Sequence, residues 1–269
     1  MPHLNQTEIK FPNLSNIEIN NHHYNLPQDN IIDEVYVPAY QNSIYLDLMT
    51  AFFDPKVFKE LAGGFVYFIN NPDAKMRILV SPNLDEDTKK AFIEGSYNSD
   101  IIIERFLEEY NKQQLSKDII VDHIYDCLSF LISMNRLEVK IVLKKQGIFH
   151  HKINIFRDSK NNTLITQGSN NLTTAGLKYN DEMVNIYQSW GTDSKIQSIN
   201  QHKELFDKNW KTQSSNESIT IDFIDAFQQK ILSNYQTKTP IQLYEDFEKV
   251  KKFIFEKDII DYSLTKRSK

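Results

Sequence analysis

One short stretch of this 269-residue chain holds residue types that can do chemistry on a phosphate. His150 and Lys152 are separated by one residue, and Gly168, Ser169 and Asn171 follow downstream. A neutral imidazole can attack phosphorus and form a covalent phosphohistidine. An ammonium, a hydroxyl and an amide can hold the non-bridging oxygens while charge develops on them. We therefore predict His150 as a nucleophile and Lys152, Ser169 and Asn171 as phosphate-binding groups.

Residues 148–156 alternate in the way expected for an extended strand, in which successive side chains point to opposite faces. His150, Lys152 and Asn154 would then share one face, whereas His151 would lie on the apolar face. We therefore predict that Asn154 supports the site. His151 is predicted to be a partly buried structural residue.

A hairpin would bring the two parts of the site together. Turn-forming residues follow Arg157, and Thr163 to Gln167 has the pattern of a returning strand. That return would place Gly168, a second supporting residue, and the side chains after it beside His150. Asp158 is interpreted as a residue of the turn.

Glu182 opens the next alternating segment. Its carboxylate could accept a hydrogen bond from the second nitrogen of His150 and hold the ring in its attacking tautomer, as an orienting acid does in a triad. Glu182 therefore joins the predicted catalytic set. Cys127 is the one cysteine, which excludes a cysteine-rich zinc site; we predict neither a metal nor a cofactor.

These residues resemble the hallmark of the phospholipase D superfamily, which is His-x-Lys followed at a distance by Gly-Ser-x-Asn. The run Leu172–Leu177 with the Asn-x-Glu after it is similar to the metal-independent nuclease branch. That branch includes restriction endonucleases and nuclease domains linked to helicases in bacterial defence systems. The full motif has an Asp at the position of Arg157, and the nuclease branch often lacks it. The resemblance covers roughly residues 30–212 and favours the nucleases over the phospholipases.

The resemblance implies an α/β fold, a phospholipase D-like layered domain with a mixed β-sheet flanked by helices. Enzymes of this kind need two His-Lys-Asn sets, whereas this chain has a single His-x-Lys motif. A homodimer with one shared site follows, with His150 as nucleophile in one subunit and general acid in the other. The implied substrate is DNA, with RNA left open. A helicase or ATPase of a restriction or anti-phage defence system is the implied partner.

The alternation of strand and helix patterns also indicates an α/β layered domain. We expect an irregular N-terminal arm over 1–30, the nuclease domain over 31–212 and a helical C-terminal extension over 213–269.

The composition sets further expectations. A net charge of -5 gives no general footprint for nucleic acid. Basic residues near the motif could line a local groove or could simply be solvated; these are Lys140, Lys144, Lys145, Lys152, Arg157 and Lys178. No signal peptide and no apolar run of about 18 residues are visible, so we expect a cytoplasmic protein without a membrane partner.

Two alternatives to the nuclease stay open. One is a phosphodiesterase of the same superfamily that acts on phospholipids, which liposome hydrolysis beside plasmid nicking would distinguish. The other is a non-catalytic module that dimerises and docks a helicase or ATPase, which would form no phosphoenzyme.

Overall fold

The chain folds around a mixed β-sheet with helices on both faces. The computed structural model describes residues 12–81, 119–192, 194–211, 218–222 and 242. Within them the sheet has eight strands in the order β1-β7-β6-β5-β2-β3-β4-β8. The strands are β1 (His23–Leu26), β2 (Tyr45–Thr50), β3 (Lys75–Val80), β4 (Leu137–Lys144), β5 (Ile153–Arg157), β6 (Thr163–Gly168), β7 (Glu182–Gln188) and β8 (Ser218–Asp222).

The directions of the strands determine which strand ends lie at the same edge of the sheet. Strands β2, β3 and β4 are parallel to one another, and every other neighbouring pair is antiparallel. Met49 near the end of β2 is opposite Ile153 at the start of β5, and Ile153 is opposite Gln167 near the end of β6. The carboxyl ends of the parallel strands therefore share one edge with the segment before β5 and the loop after β6.

Two apolar layers hold helices against the sheet. The helices described are α1 (Val37–Asn42), α2 (Ala62–Asn70), α3 (Ile119–Ser133), α4 (Thr174–Lys178) and α5 (Ile196–Lys211). Residues of α1, α2 and α3 belong to the larger core, in which Tyr40 contacts the rings of Phe58, Phe65, Phe68 and Phe156. Helix α5 covers the opposite face with Ile199, Phe206 and Trp210.

The predicted α/β class with a mixed, helix-flanked sheet is confirmed. The sequence pattern also predicts strands at 76–80, 138–143 and 182–189 and a helix over 116–134, and the structure has β3, β4, β7 and α3 there. Cys127 is buried, as a free cysteine usually is. Of the described helices, none is long and apolar enough to cross a membrane.

Two element assignments were wrong at the ends of the sheet. The segment 1–30, expected to be an irregular arm, contains β1. The buried side chains of Tyr24 and Leu26 alternate with exposed ones, as in a strand with one buried face, and the backbone of β1 pairs with β7. The segment 213–269, expected to be helical, contains β8, which pairs with β4. The sheet thus extends beyond the predicted 31–212 domain on both sides.

Other predicted helices lie outside the described residues. They are the helix beginning near Asp85, the helix over 98–114, the rest of the predicted 219–235 helix beyond β8, and the helix over 241–257 apart from Gln242.

Arg157, at the position where the superfamily motif has an Asp, faces a buried acid on the α5 side of the sheet. Its Nη2 lies 2.9 Å from Oδ2 of Asp47, and Arg77 makes a two-point pair with the same carboxylate at 2.7 and 2.8 Å. The Arg77 guanidinium also lies 4.7 Å from the ring centre of Phe206. Arg157 therefore stabilises the sheet and α5, on the side opposite Asn154.

Asp158 stabilises the hairpin turn, in agreement with its interpretation from the sequence as a turn residue. Its Oδ1 accepts from the backbone N–H groups of Lys160 and Asn162 at 2.8 and 2.9 Å. Its Oδ2 accepts from the Asn162 amide and from the backbone N–H of Leu14, at 2.8 and 2.9 Å. The buried carboxylate thus fixes the β5–β6 turn and attaches the N-terminal segment to it.

We predict that Asp158→Ala lowers the free energy of unfolding by about 1–3 kcal/mol, because it leaves the buried N–H of Leu14 without an acceptor. Urea denaturation followed by circular dichroism measures this change. Lys160→Ala, at an exposed position of the same turn, is the matched control and should leave the midpoint unchanged. Equal midpoints for Asp158→Ala and the unmodified protein would contradict the role of this carboxylate.

Candidate active site

His150 and Lys152 lie before a strand, not on one. The strand predicted over 148–156 begins only at Ile153, because β2 ends at Thr50 and offers no backbone partner beyond that point. The backbone carbonyl oxygen of Lys152 still accepts a hydrogen bond from the backbone N–H of Gly168 at 3.2 Å. The two motif residues therefore stand at the open edge of the sheet, tied to the end of β6.

Lys152 is a buried cation without a carboxylate partner among the described residues. Its side chain is 6% exposed, and its ammonium donates to Nδ1 of His150 at 2.7 Å and to the carbonyl oxygen of His150 at 3.1 Å. Burial lowers the pKa of Lys152, and the charge of Glu182 acts in the opposite direction. Burying an ammonium without a counterion is costly. The site is thus built to receive an anion.

The contact with Lys152 fixes the tautomer of His150. An ammonium can only donate, so Nδ1 of His150 accepts, and the neutral ring carries its proton on Nε2. In this form the exposed His150 side chain can donate a proton from Nε2. Attack on phosphorus requires the opposite tautomer, so Lys152 must first release Nδ1.

Glu182 contacts Ser169 and not His150. Within the described chain, its carboxylate accepts from the Ser169 hydroxyl in a short hydrogen bond and from the Asn180 amide at 3.1 Å. Ser169 Oγ also accepts from the backbone N–H of Met183 at 3.2 Å. The structure thus places Glu182 within electrostatic range of Lys152, but it does not show the predicted hydrogen bond to His150.

The loop after β6 holds Asn171 with its amide unused. Oδ1 of Asn171 is buried and has no hydrogen-bond partner in the described part of the chain. The backbone on either side is fixed, because Leu172 forms a bridge with Phe53 and Thr173 caps α4 through the N–H of Gly176 at 3.0 Å. An unpaired buried amide oxygen costs about 1–3 kcal/mol, so this atom needs a hydrogen-bond donor from outside the described part of the chain.

Gly168 is required by the close approach of β6 and β7. A Cβ at this position would lie 2.1 Å from the carbonyl oxygen of Met183, a backbone atom that cannot move aside. The absence of a side chain lets the N–H of Ser169 donate to that same carbonyl at 3.1 Å. The predicted supporting role of Gly168 therefore has a steric basis.

Asn154, predicted to support the site, lies in a buried hydrogen-bond network. Its amide donates to Thr166 Oγ1 at 2.6 Å and to the hydroxyl of Tyr36 at 3.2 Å. Tyr36 also contacts Thr166 Oγ1 at 3.1 Å and accepts from Asn170 at 3.4 Å. Burial raises the pKa of Tyr36. This network connects β5, β6 and the loop that carries Asn171.

The sequence had not indicated Tyr36 or Thr166 as site-supporting residues. Tyr36 lies within the range 30–212 that the resemblance covers, but nothing in its spacing pointed to Asn154. The hydrogen bond between Tyr36 and Asn154 joins residues that are far apart in the sequence, so it depends on the fold.

The alternating residue pattern predicted the wrong environment for the His151 side chain. The prediction of a partly buried residue on the apolar face assumed a strand at this position, and the side chain is instead exposed. Its ring contacts Phe149 edge-on at a centroid distance of 5.0 Å. Neighbouring atoms partly desolvate one side of the exposed ring, which lowers the pKa of His151, and Lys144 and Lys152 lower it further.

Half of the basic residues near the motif are held by internal contacts. Lys140 donates to the carbonyl oxygen of Trp210 and lies over its ring, and Lys178 pairs with Glu60 at 2.8 Å. Arg157 is held by Asp47. Three of the six basic residues therefore serve internal contacts.

No group of three or more His, Cys, Asp or Glu residues in the described ranges could hold a metal ion. Of the predicted site residues, the structure brings His150 into contact with Lys152, and Ser169 into contact with Glu182. Gly168 joins the two pairs through the backbone of Lys152 and Ser169. Asn171 lies on the same loop as Ser169, without a side-chain contact to the others.

Comparisons with known proteins gave matches only to solved structures. No protein-family model matches the chain, and no curated protein matches it. NucT from Helicobacter pylori aligns at a TM-score of 0.40 and 12% identity, covering 70% of this chain and 93% of NucT. Nuc from Salmonella typhimurium, a phospholipase D family member, aligns at 0.39 and 11%, covering 70% and 91%. Phosphatidylserine synthase from Haemophilus influenzae aligns at 0.42 and 14%, covering 84% and 43%.

These TM-scores are all below 0.5, so the assignment of individual site residues rests on the motif and geometry of this chain. In its motif residues, the chain resembles the phospholipase D superfamily.

Proposed function

We propose that this protein is a metal-independent phosphodiesterase that hydrolyses nucleic acid, with DNA as the expected substrate. The observation that carries the proposal is the buried ammonium of Lys152, which contacts His150 and has no carboxylate partner in the described structure. A phosphodiester supplies the missing negative charge. His150 is then adjacent to the phosphorus, as a nucleophile must be.

The substrate can itself switch His150 into its attacking form. A phosphate oxygen that binds Lys152 competes with Nδ1 of His150 for the ammonium. Once released, Nδ1 can carry the proton and donate it to a carboxylate, and Nε2 gains a free lone pair. We propose Glu182 as that carboxylate, since its charge already reaches Lys152. The Ser169 hydroxyl and the Nδ2 group of Asn171 would donate to the remaining phosphate oxygens.

The reaction then has two balanced steps. Nε2 of His150 attacks phosphorus and forms a P–N bond as the P–O bond to the leaving group breaks, and a second imidazole protonates the departing oxygen. Water then attacks phosphorus and gives its proton to the second imidazole, the P–N bond breaks and both histidines return to their starting forms. The chain has one His-x-Lys motif, so we propose that the second imidazole is His150 of a partner copy in a homodimer.

The cellular setting is proposed from the sequence resemblance alone. It comprises a cytoplasmic location, a role in restriction or anti-phage defence and a helicase or ATPase partner.

We predict that the protein cleaves DNA in excess EDTA. His150→Ala and Lys152→Ala should each lower the single-turnover cleavage rate by about 10³-fold, because each removes a group that acts on the phosphorus or its oxygens. Lys160→Ala, at an exposed position away from the site, is the matched lysine control and should retain full activity. Strict dependence on added Mg²⁺, or substantial activity in His150→Ala, would contradict the mechanism.

A second prediction concerns pH. Burial lowers the pKa of Lys152, so the cationic form, and with it kcat/KM, should be lost as the pH rises through a value below that of an ordinary lysine. Glu182 raises this pKa, so Glu182→Gln should move the alkaline limb to lower pH in addition to reducing the rate. Rate–pH profiles of both proteins measure the shift. An alkaline limb that moves upward in Glu182→Gln would refute the proposed coupling.

The shared site makes a quantitative prediction about mixed dimers. If each site needs His150 from both subunits, a dimer with one His150→Ala subunit is inactive. After unfolding and refolding of mixtures, activity should therefore fall with the square of the unmodified fraction. A linear fall, or a monomer in sedimentation velocity that is fully active, would overturn the shared site.

A further inference from the structure

One hydroxyl in the core contacts both parts of the candidate phosphate site. Oη of Tyr36 accepts from the side-chain amide of Asn154 at 3.2 Å and from that of Asn170 at 3.4 Å. Asn154 is the second residue after Lys152, and Asn170 directly precedes Asn171. The side chain of Tyr36 is fully buried, so bulk water does not compete for this hydroxyl. It therefore connects the strand that follows Lys152 with the loop that carries Asn171.

The hydrogen-bonding capacity of the Tyr36 hydroxyl is fully used. A phenol can donate one hydrogen bond and accept two. The Nδ2 groups of Asn154 and Asn170 can only donate, so they occupy both acceptor positions. The single proton is then available to Oγ1 of Thr166, which lies 3.1 Å away. Removal of this hydroxyl would therefore take an acceptor from two buried amides at once.

A π-helical turn over Ile32–Tyr36 brings Tyr36 to this junction. The N–H of Val37 donates to the carbonyl oxygen of Ile32, which makes this turn one residue wider than an α-helical turn. Turns of this kind are rare and occur frequently at functional sites. The Tyr36 ring also packs edge-on against Phe156 of β5, at a centroid distance of 6.3 Å. Both the backbone and the ring therefore fix the position of the hydroxyl.

The side chain of Asn171 depends on the neighbouring residues for its position, because its amide oxygen has no partner in the described structure. The backbone is fixed on one side at Leu172, through the bridge to the segment after β2, and on the other side at Ser169, through its hydrogen bond to β7. Asn170 lies between these two points. It is 4% exposed, and its amide donates to Tyr36. The contact with Tyr36 therefore holds the residue that directly precedes Asn171.

We propose that Tyr36 is a positioning residue of the phosphodiesterase reaction, whose hydroxyl holds Asn171 at the distance from Lys152 that a bound phosphate requires. This role rests on the proposed function of the site and extends it to a buried residue that does not touch the substrate. Tyr36 acts through Asn170. Its hydroxyl therefore affects the cleavage rate only while Asn171 is present to donate to the phosphate.

A double-mutant cycle tests this coupling through the single-turnover rate constant for cleavage of a labelled DNA oligonucleotide at saturating protein. Tyr36→Phe should lower the rate constant about 10- to 100-fold, because a small misplacement of a phosphate-binding group has an effect of this size. In an Asn171→Ala background, Tyr36→Phe should change the rate constant less than about twofold. Equal fold losses in the two backgrounds would overturn the proposal, because a residue needed only for folding acts independently of Asn171.

Tyr40→Phe is the matched control. Tyr40 lies four residues further along, is fully buried and also packs edge-on against Phe156, but its hydroxyl has no hydrogen-bond partner in the described part of the chain. Tyr40→Phe should leave the rate constant unchanged, and a loss equal to that of Tyr36→Phe would contradict the proposal. If circular dichroism shows that Tyr36→Phe does not fold, Asn170→Ala removes the same contact from the loop side and is tested in the same two backgrounds.

Hydrogen exchange measures the positioning of the loop without catalysis. Tyr36→Phe should raise deuterium uptake in peptides that cover residues 169–173, whereas Tyr40→Phe should not. If the unmodified protein cleaves no phosphodiester but this uptake rises, the proposed catalysis is wrong and the hold of Tyr36 on the loop stands. If the unmodified protein cleaves DNA and Tyr36→Phe changes neither the rate constant nor the uptake, the positioning role is wrong and the phosphodiesterase chemistry stands.

Discussion

The site depends on a lysine ammonium that is buried at the edge of a sheet and has no carboxylate partner among the described residues. Lys152 lies where the β2–β5 ladder ends, and its ammonium donates to His150. Burial of such a charge is unfavourable unless the surrounding structure holds it in place. The β5–β6 hairpin does so, because it fixes the backbone of Lys152 to Gly168 on one side and continues into the core on the other.

The two ends of this hairpin carry different polar groups. At the turn, buried Asp158 satisfies backbone N–H groups and attaches the N-terminal segment. At the open end, the hydroxyls of Tyr36 and Thr166 and the amide of Asn154 satisfy one another below the loop after β6. Asn171 lies just beyond that network, with its amide oxygen unpaired among the described residues. Hydrogen bonding is thus satisfied within the network, whereas one buried oxygen of the loop is left without a donor.

Local patterns predicted the parts of this arrangement that depend on local physics. Alternation located β7, turn chemistry located the hairpin and gave Asp158 its structural role, and the motif located the polar residues of the site. Alternation failed at His150 to Lys152, because a strand exists only where a neighbouring strand pairs with it, and the end of β2 is not encoded near these residues. The tautomer of His150, the pairing of Glu182 with Ser169 and the role of Tyr36 depend on contacts between distant segments. No spacing in the sequence specifies them.

The most direct test of the account is detection of the covalent intermediate. The protein is mixed with a labelled single-stranded substrate in EDTA, quenched in alkali to preserve a phosphoramidate, digested and analysed by mass spectrometry. The account predicts a phosphoryl adduct on His150 that forms and decays at rates consistent with turnover and is lost in acid. Turnover with no adduct on His150 at any time, under conditions in which a synthetic phosphohistidine peptide survives the work-up, would contradict it.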